Sequence, residues 1–129
     1  MKIEHVAFNV SDPVVAARWY VEHLGFQVKR RLEESPFTHF LADDGGGVMV
    51  ELYCNPRAPV PDYAGQDPLV LHLALISDDV VADRRRLLAA GATAVGEIEH
   101  LDNGDVLAML RDPWGLAIQL VNRHDPMIR

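Results

Sequence analysis

Hydrophobic and polar positions alternate along the chain with two periods, one typical of strands and one typical of helices. Strand-like and helix-like segments follow each other in the same order in both halves. In the first half, residues 3–10 are apolar and β-branched, as in a strand, and residues 13–24 carry an apolar stripe at helical spacing. Three further strands are predicted near 26–32, 37–42 and 48–54. The first half therefore predicts one strand, one helix and then three strands.

Capping and turn residues mark the ends of these elements. Asp12 is a favourable N-cap, Pro13 suits the first helical position and Gly25 suits the C-terminal cap. The second half predicts the same order, with a strand over 69–76, a helix over about 80–90, and strands near 94–100, 105–111 and 116–122. Asn103 and Gly104 predict a hairpin turn between two of these strands.

The two halves form an internal repeat. His5–Phe8 resembles His72–Leu75, and Gly47–Leu52 resembles Gly115–Leu120, with offsets of 67 and 68 residues. The repeat predicts an α+β fold made of two βαβββ modules, neither of which would cover its sheet well alone. We expect the two sheets to pair edge to edge into a curved, half-open mixed β-barrel with the helices outside.

A proline-rich segment separates the two modules. Residues 55–68 hold four of the eight prolines of the chain, and proline is poorly accepted in helices and central strands. We expect one domain over residues 1–129. Its parts are module one at about 1–54, the linker at 55–68, module two at about 69–122 and a C-terminal tail at 123–129.

Four polar side chains occupy repeat-equivalent inward positions on the predicted strands, because strand residues alternate between two faces. They are His5, Glu51, His72 and Gln119. A carboxylate among apolar side chains is costly unless it is paired or bound to metal. Two imidazoles, a carboxylate and an amide oxygen suit divalent Zn, Ni, Co, Mn or Fe. The alternative is a metal-free network of core histidines in which Glu51 pairs with one of them.

Two further residues share these inward faces. Asn9 lies on the strand of His5, and Tyr53 lies on the strand of Glu51, each at the alternating spacing that keeps a residue on one face. Both are therefore candidates for contact with a substrate.

Bulk properties argue against several classes of protein. The formal net charge of −7 argues against nucleic acid, whose binding depends on Lys and Arg contacts to phosphate. The single cysteine, Cys54, allows no disulfide within the chain and no thiolate zinc cluster. No segment reads as a signal peptide or reaches the roughly 20 apolar residues of a membrane span. We expect a soluble cytoplasmic protein that binds neither nucleic acid nor membranes.

Three segments carry a resemblance to a known superfamily. They are His5–Asp12, the helix end Trp19–Phe26 and the turn Asp112–Leu116. Over about residues 1–123, the chain resembles the vicinal oxygen chelate superfamily, which includes glyoxalase I, methylmalonyl-CoA epimerase, fosfomycin-resistance enzymes, extradiol dioxygenases and bleomycin-resistance proteins. The resemblance implies the paired βαβββ fold, metal ligands at the four inward positions, a small-molecule substrate and a homodimer.

The resemblance also implies a reaction. In this superfamily a metal holds two oxygens of a substrate and stabilises an enolate, while a carboxylate moves the proton. Glu51 is then the catalytic base, because the amide of Gln119 cannot act as one. The segment Glu51–Asn55 is similar to one in glyoxalase I whose asparagine helps to hold glutathione, which makes Asn55 a candidate substrate contact. A glyoxalase-like lyase or isomerase acting on a small α-oxygenated carbonyl compound is implied.

Two other functions are compatible with the same fold. A metal-free binding protein of the bleomycin-resistance type would sequester a cationic drug, for which the negative charge of the chain is suitable. An Fe(II) dioxygenase of the extradiol type would use His5, His72 and Glu51. Metal content separates the binding protein from both enzymes, and oxygen dependence separates the dioxygenase from the lyase.

Overall fold

The computed structural model of the chain describes residues 1–128. It divides the chain into two compact units, Met1–Pro61 and Asp62–Arg129. The boundary falls inside the predicted linker at 55–68. That the two units make one domain stays a prediction.

Unit 1 is a four-stranded mixed sheet with one helix. Its elements are β1 (His5–Asn9), α1 (Pro13–Leu24), β2 (Gln27–Arg31), β3 (His39–Ala42) and β4 (Met49–Tyr53). The strands lie in the order β1-β4-β3-β2. β1 runs parallel to β4, and the other neighbours are antiparallel.

Unit 2 repeats this topology after a short 3-10 helix at Tyr63–Gly65. Its elements are β5 (Leu73–Ile76), α2 (Val80–Ala89), β6 (Thr93–His100), β7 (Val106–Arg111) and β8 (Ala117–Asn122). The strand order β5-β8-β7-β6, with β5 parallel to β8, matches that of unit 1. The predicted α+β fold of two βαβββ modules is therefore confirmed, while the pairing of the sheets into a half-open barrel stays a prediction.

Both helices begin at an aspartate whose side chain caps the first turn. The Asp12 carboxylate accepts a hydrogen bond from the Val15 amide at 3.2 Å, and the Asp79 carboxylate accepts one from the Ala82 amide at 2.9 Å. The first helix ends at Gly25, which has a φ of 72°. This left-handed conformation is open to glycine at little cost, so the predicted bounds of α1 are confirmed.

Each helix covers one face of the sheet in its own unit. α1 packs against β3 and β4, and α2 packs against β6, β7 and β8. The most deeply buried large side chains are Tyr20, Leu41 and Leu52 in unit 1 and Leu87, Leu110 and Ile118 in unit 2. Along β4 the residues alternate between buried and half-buried, and Glu51 is half-buried. Alternation therefore leaves Glu51 on the face that α1 does not cover.

The first strand of unit 2 is shorter than predicted. The sequence predicts a strand over 69–76, but β5 begins at Leu73. The cause is a local turn, in which the Asp67 carboxylate accepts a hydrogen bond from the Leu69 amide at 2.9 Å and the Asp67 carbonyl accepts one from Val70. Such side-chain bonds compete with extended backbone. His72 consequently lies one residue before the strand.

One of the two edge strands of each sheet is irregular, β2 in unit 1 and β6 in unit 2. The register shifts between Val28 and Arg30 in β2 and between Val95 and Glu99 in β6. Both strands also carry exposed charged residues. Bulges and charges are the devices by which proteins prevent edge strands from pairing with other chains.

Within residues 1–128, no helix has the length and apolar character needed to cross a membrane.

The turn before β8 depends on one buried carboxylate. Asp112 accepts hydrogen bonds from the Trp114 amide at 2.9 Å and the Leu116 amide at 3.0 Å. We expect Asp112→Ala to lower the free energy of unfolding by about 1–3 kcal/mol, because buried amides would lose their acceptor. Asp44→Ala removes an exposed carboxylate from the corresponding turn before β4 and should stay within about 0.5 kcal/mol. Equal losses in urea denaturation would contradict this account.

Candidate metal centre

Glu51 and Gln119 occupy the same position in the two sheets. Glu51 on β4 pairs in register with Ala7 of β1, and Gln119 on β8 pairs in register with Ala74 of β5. In a parallel pair, register partners lie side by side on one face. The pairing therefore reproduces the equivalence that the sequence repeat predicts for these two residues.

Unit 1 brings His5 and Glu51 into contact. Nε2 of His5 lies 3.1 Å from Oε2 of Glu51, and Nδ1 of His5 lies 2.5 Å from Oε2 of Glu4. The Glu51 side chain is only 16% exposed and that of His5 33% exposed. The Phe40 ring meets the imidazole edge-on, with ring centres 5.6 Å apart. The imidazole thus stands between two carboxylates on a partly apolar surface.

The chemistry of this pair fits a cation. If neutral His5 donates its Nδ1 proton to Glu4, the lone pair on Nε2 faces the Glu51 carboxylate. A metal ion bound to both atoms, or a proton on Nε2, would make that contact favourable. Two ligand atoms bound at about 2.1 Å to one ion at right angles lie about 3 Å apart. The 3.1 Å separation of the two atoms is compatible with that arrangement.

The second histidine is oriented by the backbone. Nδ1 of half-buried His72 lies 2.8 Å from the carbonyl oxygen of Pro68. Because a carbonyl only accepts hydrogen bonds, Nδ1 carries the proton, and the lone pair of the neutral ring is on Nε2. Metal-binding histidines commonly donate their other N–H to a carboxylate or a backbone carbonyl. Glu4 and Pro68 supply these two kinds of partner to His5 and His72.

The four predicted ligands are divided between the units. His5 and Glu51 are in contact in unit 1. In unit 2, His72 lies two residues before Ala74, the strand partner of half-buried Gln119. Among the residues described, 1–128, no group of three or more His, Cys, Asp or Glu side chains is placed to hold a metal ion. A site made by all four residues stays a prediction.

The predicted substrate contacts have structural roles of their own. The Asn9 amide nitrogen donates to the carbonyl oxygens of Ala58 at 3.0 Å and Pro59 at 3.1 Å, and its oxygen accepts from the Asn55 amide at 2.7 Å. Asn9 thereby fastens the loop after β4 to the end of β1. Tyr53 is half-buried, on the Glu51 face of β4. A substrate role for Asn9, Tyr53 or Asn55 stays a prediction.

Two partners of the histidines were not predicted. Glu4 precedes His5 in the sequence, and a carboxylate next to a candidate ligand is a signal that could have been used. The carbonyl of Pro68 has no such signal, because its position depends on the turn at Asp67.

A comparison with protein families identifies the superfamily of the chain. The model of the Glyoxalase/Bleomycin resistance protein/Dioxygenase superfamily matches residues 2–120. The chain belongs to this superfamily. One relative within it, a probable lactoylglutathione lyase of Vibrio parahaemolyticus serotype O3:K6, is 27% identical over 126 residues, which cover 93% of this chain and 89% of that protein.

Solved structures share the superfamily fold. TnmS3, an antibiotic binding protein from Streptomyces sp. CB03234, is 27% identical with a TM-score of 0.70, and the match covers 93% of each chain. A glyoxalase I mutant from Zea mays is 24% identical with a TM-score of 0.75, and the match covers 96% of this chain and 46% of that one. The second likeness is one of fold alone.

Metal retention tests the predicted ligands. We expect full-length protein incubated with Ni²⁺ and desalted to keep about one ion per chain. His5→Ala and His72→Ala should weaken binding by more than about 100-fold, and Glu4→Gln by about 10–100-fold, since it removes only the partner of a ligand. His100→Ala removes an exposed histidine of β6 and should change nothing. Competition with a chelator measures these affinities, and an equal loss in the His100 variant would contradict the assignment.

Proposed function

We propose that this chain is a divalent-metal-dependent lyase or isomerase of the glyoxalase type, acting on a small α-oxygenated carbonyl compound. The observation that carries the proposal is the contact between His5 and Glu51. Glu51 occupies the position in its module that Gln119 occupies in the other. The similarity to a probable lactoylglutathione lyase supports the same class of reaction.

The proposed metal ligands are His5, Glu51, His72 and Gln119, and the ion is divalent Zn, Ni, Co, Mn or Fe. Their imidazole nitrogens and side-chain oxygens form a donor set that such ions accept. When bound, a divalent ion supplies Lewis-acid polarisation of neighbouring substrate oxygens, which acidifies the C–H bond beside the carbonyl. The partners of His5 and His72 hold the rings in the orientation that binding requires.

Glu51 is the proposed base. When both imidazoles donate their lone pairs to the metal, they cannot accept a proton. The amide of Gln119 does not accept one near neutral pH, so the Glu51 carboxylate is the only proton acceptor among the four proposed ligands. Burial of the Glu51 side chain to 16% exposure keeps most competing water away from it. Glu51 takes the proton from the hydroxyl-bearing carbon beside the carbonyl and returns it to the former carbonyl carbon, while the hydroxyl proton passes to the former carbonyl oxygen. The step is an isomerisation and needs neither oxidant nor reductant.

The first substrate to test is the hemithioacetal of methylglyoxal and glutathione, which the name of the Vibrio relative suggests. We expect Glu51→Gln to reduce kcat on any true substrate by about 10²–10⁴-fold, the usual contribution of a positioned proton carrier. The circular dichroism spectrum should not change. Glu99→Gln neutralises an exposed carboxylate of β6 and should leave kcat as it is. Full activity in the Glu51 variant would show that another group moves the proton.

A second candidate function is the binding of an antibiotic without turnover. TnmS3, which is named as an antibiotic binding protein, is as similar in sequence to this chain as the Vibrio relative. This candidate predicts saturable binding of a cationic drug by metal-free protein, together with no retained ion in the wild type. Oxygen uptake by Fe(II)-loaded protein with a catechol would instead indicate a dioxygenase.

A further inference from the structure

Unit 2 contains a cavity that the proposed chemistry does not use. The tail after β8 passes over the ends of β5 and β8 and closes one side of a space of about 490 Å³, a size typical of small-molecule pockets. Its apolar lining consists of Ala74, Ile76, Val121, Pro126, Met127 and Ile128.

The cavity begins beside a proposed metal ligand. Ala74, part of its lining, is the strand partner of Gln119, and the next pair on the same face is Ile76 with Val121. Successive pairs on one face of a sheet are contiguous. The apolar surface therefore extends from the Gln119 position towards the ends of the strands.

Two of the three polar residues that line the cavity, Asn122 and Arg123, have partners within unit 2, and the third, Asp78, is exposed. The Asn122 amide donates to the carbonyl oxygen of Ser77 at 2.8 Å, and the Arg123 guanidinium donates to the Asp105 carboxylate at 2.7 Å. What is offered to a ligand is mainly aliphatic. Ile76, Met127 and Ile128 are 72%, 78% and 79% exposed, and large aliphatic side chains gathered around one concave surface are typical of a binding site.

Asp105 fixes the start of the tail. Besides Arg123, its carboxylate accepts a hydrogen bond from the His124 amide at 3.0 Å. The hydrogen bond from Arg123, followed by that from the His124 amide, holds the pKa of Asp105 below its ordinary value, so the carboxylate is ionised at neutral pH. Gly104 lies against the His124 ring, where an added Cβ would come within 3.1 Å. The start of the tail is thus fastened to the β6–β7 hairpin, beside the cavity.

We infer that this cavity binds an apolar group of the substrate, either aromatic or branched aliphatic. In the substrate this group is attached to the carbon chain next to the two oxygens. The position of the two oxygens rests on the proposed function. The binding of the apolar group rests on the cavity alone. Asp105 acts as a positioning residue through the tail. The substrate class is then an α-oxygenated carbonyl compound with a bulky apolar substituent.

The cavity can be tested without metal. Metal-free full-length protein with ¹³C-labelled methionine methyl groups is titrated with benzyl alcohol, and the Met127 signal is assigned with Met127→Leu. We expect a saturable shift of the Met127 signal and none of the Met1 signal. Ile76→Thr should weaken binding about fivefold through loss of apolar contact. Val28→Thr, a comparable change on exposed β2, should have no effect. An unmoved Met127 signal would overturn the inference.

A second titration connects the cavity to the metal. Ni²⁺-loaded protein is titrated with acetohydroxamate and benzohydroxamate, which present the same two oxygens and differ in the apolar group. We expect benzohydroxamate to bind at least about tenfold more tightly, since a phenyl ring is buried, and Ile76→Thr to reduce that advantage. Equal affinities would overturn the inference. Failure to retain Ni²⁺ would overturn the proposed function and leave the benzyl alcohol result valid.

The positioning role of Asp105 has its own signature. Asp105→Asn should weaken benzohydroxamate and leave acetohydroxamate unchanged, whereas general loss of structure would weaken both. Asp102→Asn, an exposed carboxylate of the same hairpin, is the matched control and should change neither. Sedimentation of wild-type protein and of Met127→Gln tests whether a second copy covers the cavity. A wild-type dimer that is lost in the variant would overturn the inference.

Discussion

A β-strand presents its side chains alternately to two faces, and in each module of this chain a single helix covers only one of them. The covered face holds the large buried side chains, such as Leu52 and Ile118. The other face can therefore carry polar groups without opening the core. Glu51 and Gln119 lie on that face at one shared position, fixed by the parallel pairing of β1 with β4 and of β5 with β8. The proposed chemistry depends on this division of each sheet.

The repeat preserves the positions of the polar groups but not their surroundings. His5 is held by a carboxylate and His72 by a backbone carbonyl, and the acid of one module is an amide in the other. A carboxylate partner makes an imidazole more basic than a carbonyl partner does, so the two histidines differ as proposed ligands. The two halves of the repeat are thus unequal, which matches the proposed reaction with its single base.

Local patterns predicted most of the fold. The helix α1 was predicted with its observed bounds, because Asp12, Pro13 and Gly25 are all local signals. The start of β5 was predicted too early, because the Asp67 turn competes with an apolar run that otherwise resembles a strand. The repeat predicted that Glu51 and Gln119 occupy equivalent positions, whereas direct pairing of Glu51 with a histidine was expected only in the metal-free alternative. The cavity beside the tail could not be predicted, because the hydrogen bonds that Asp105 accepts from Arg123 and His124 join residues 18 and 19 positions apart.

The bulges of β2 and β6 have a consequence for how such a chain is made. A protein with two modules of one topology emerges from the ribosome with its first sheet formed while the strands of the second are still unpaired, and tandem repeats are prone to misassembly in which strands of one repeat pair with the other. A shifted register with exposed charge makes β2 a poor template for a newly synthesised strand. The irregular edge strands β2 and β6 therefore favour folding of each module onto itself, so that residues with no part in the proposed chemistry affect the yield of native protein.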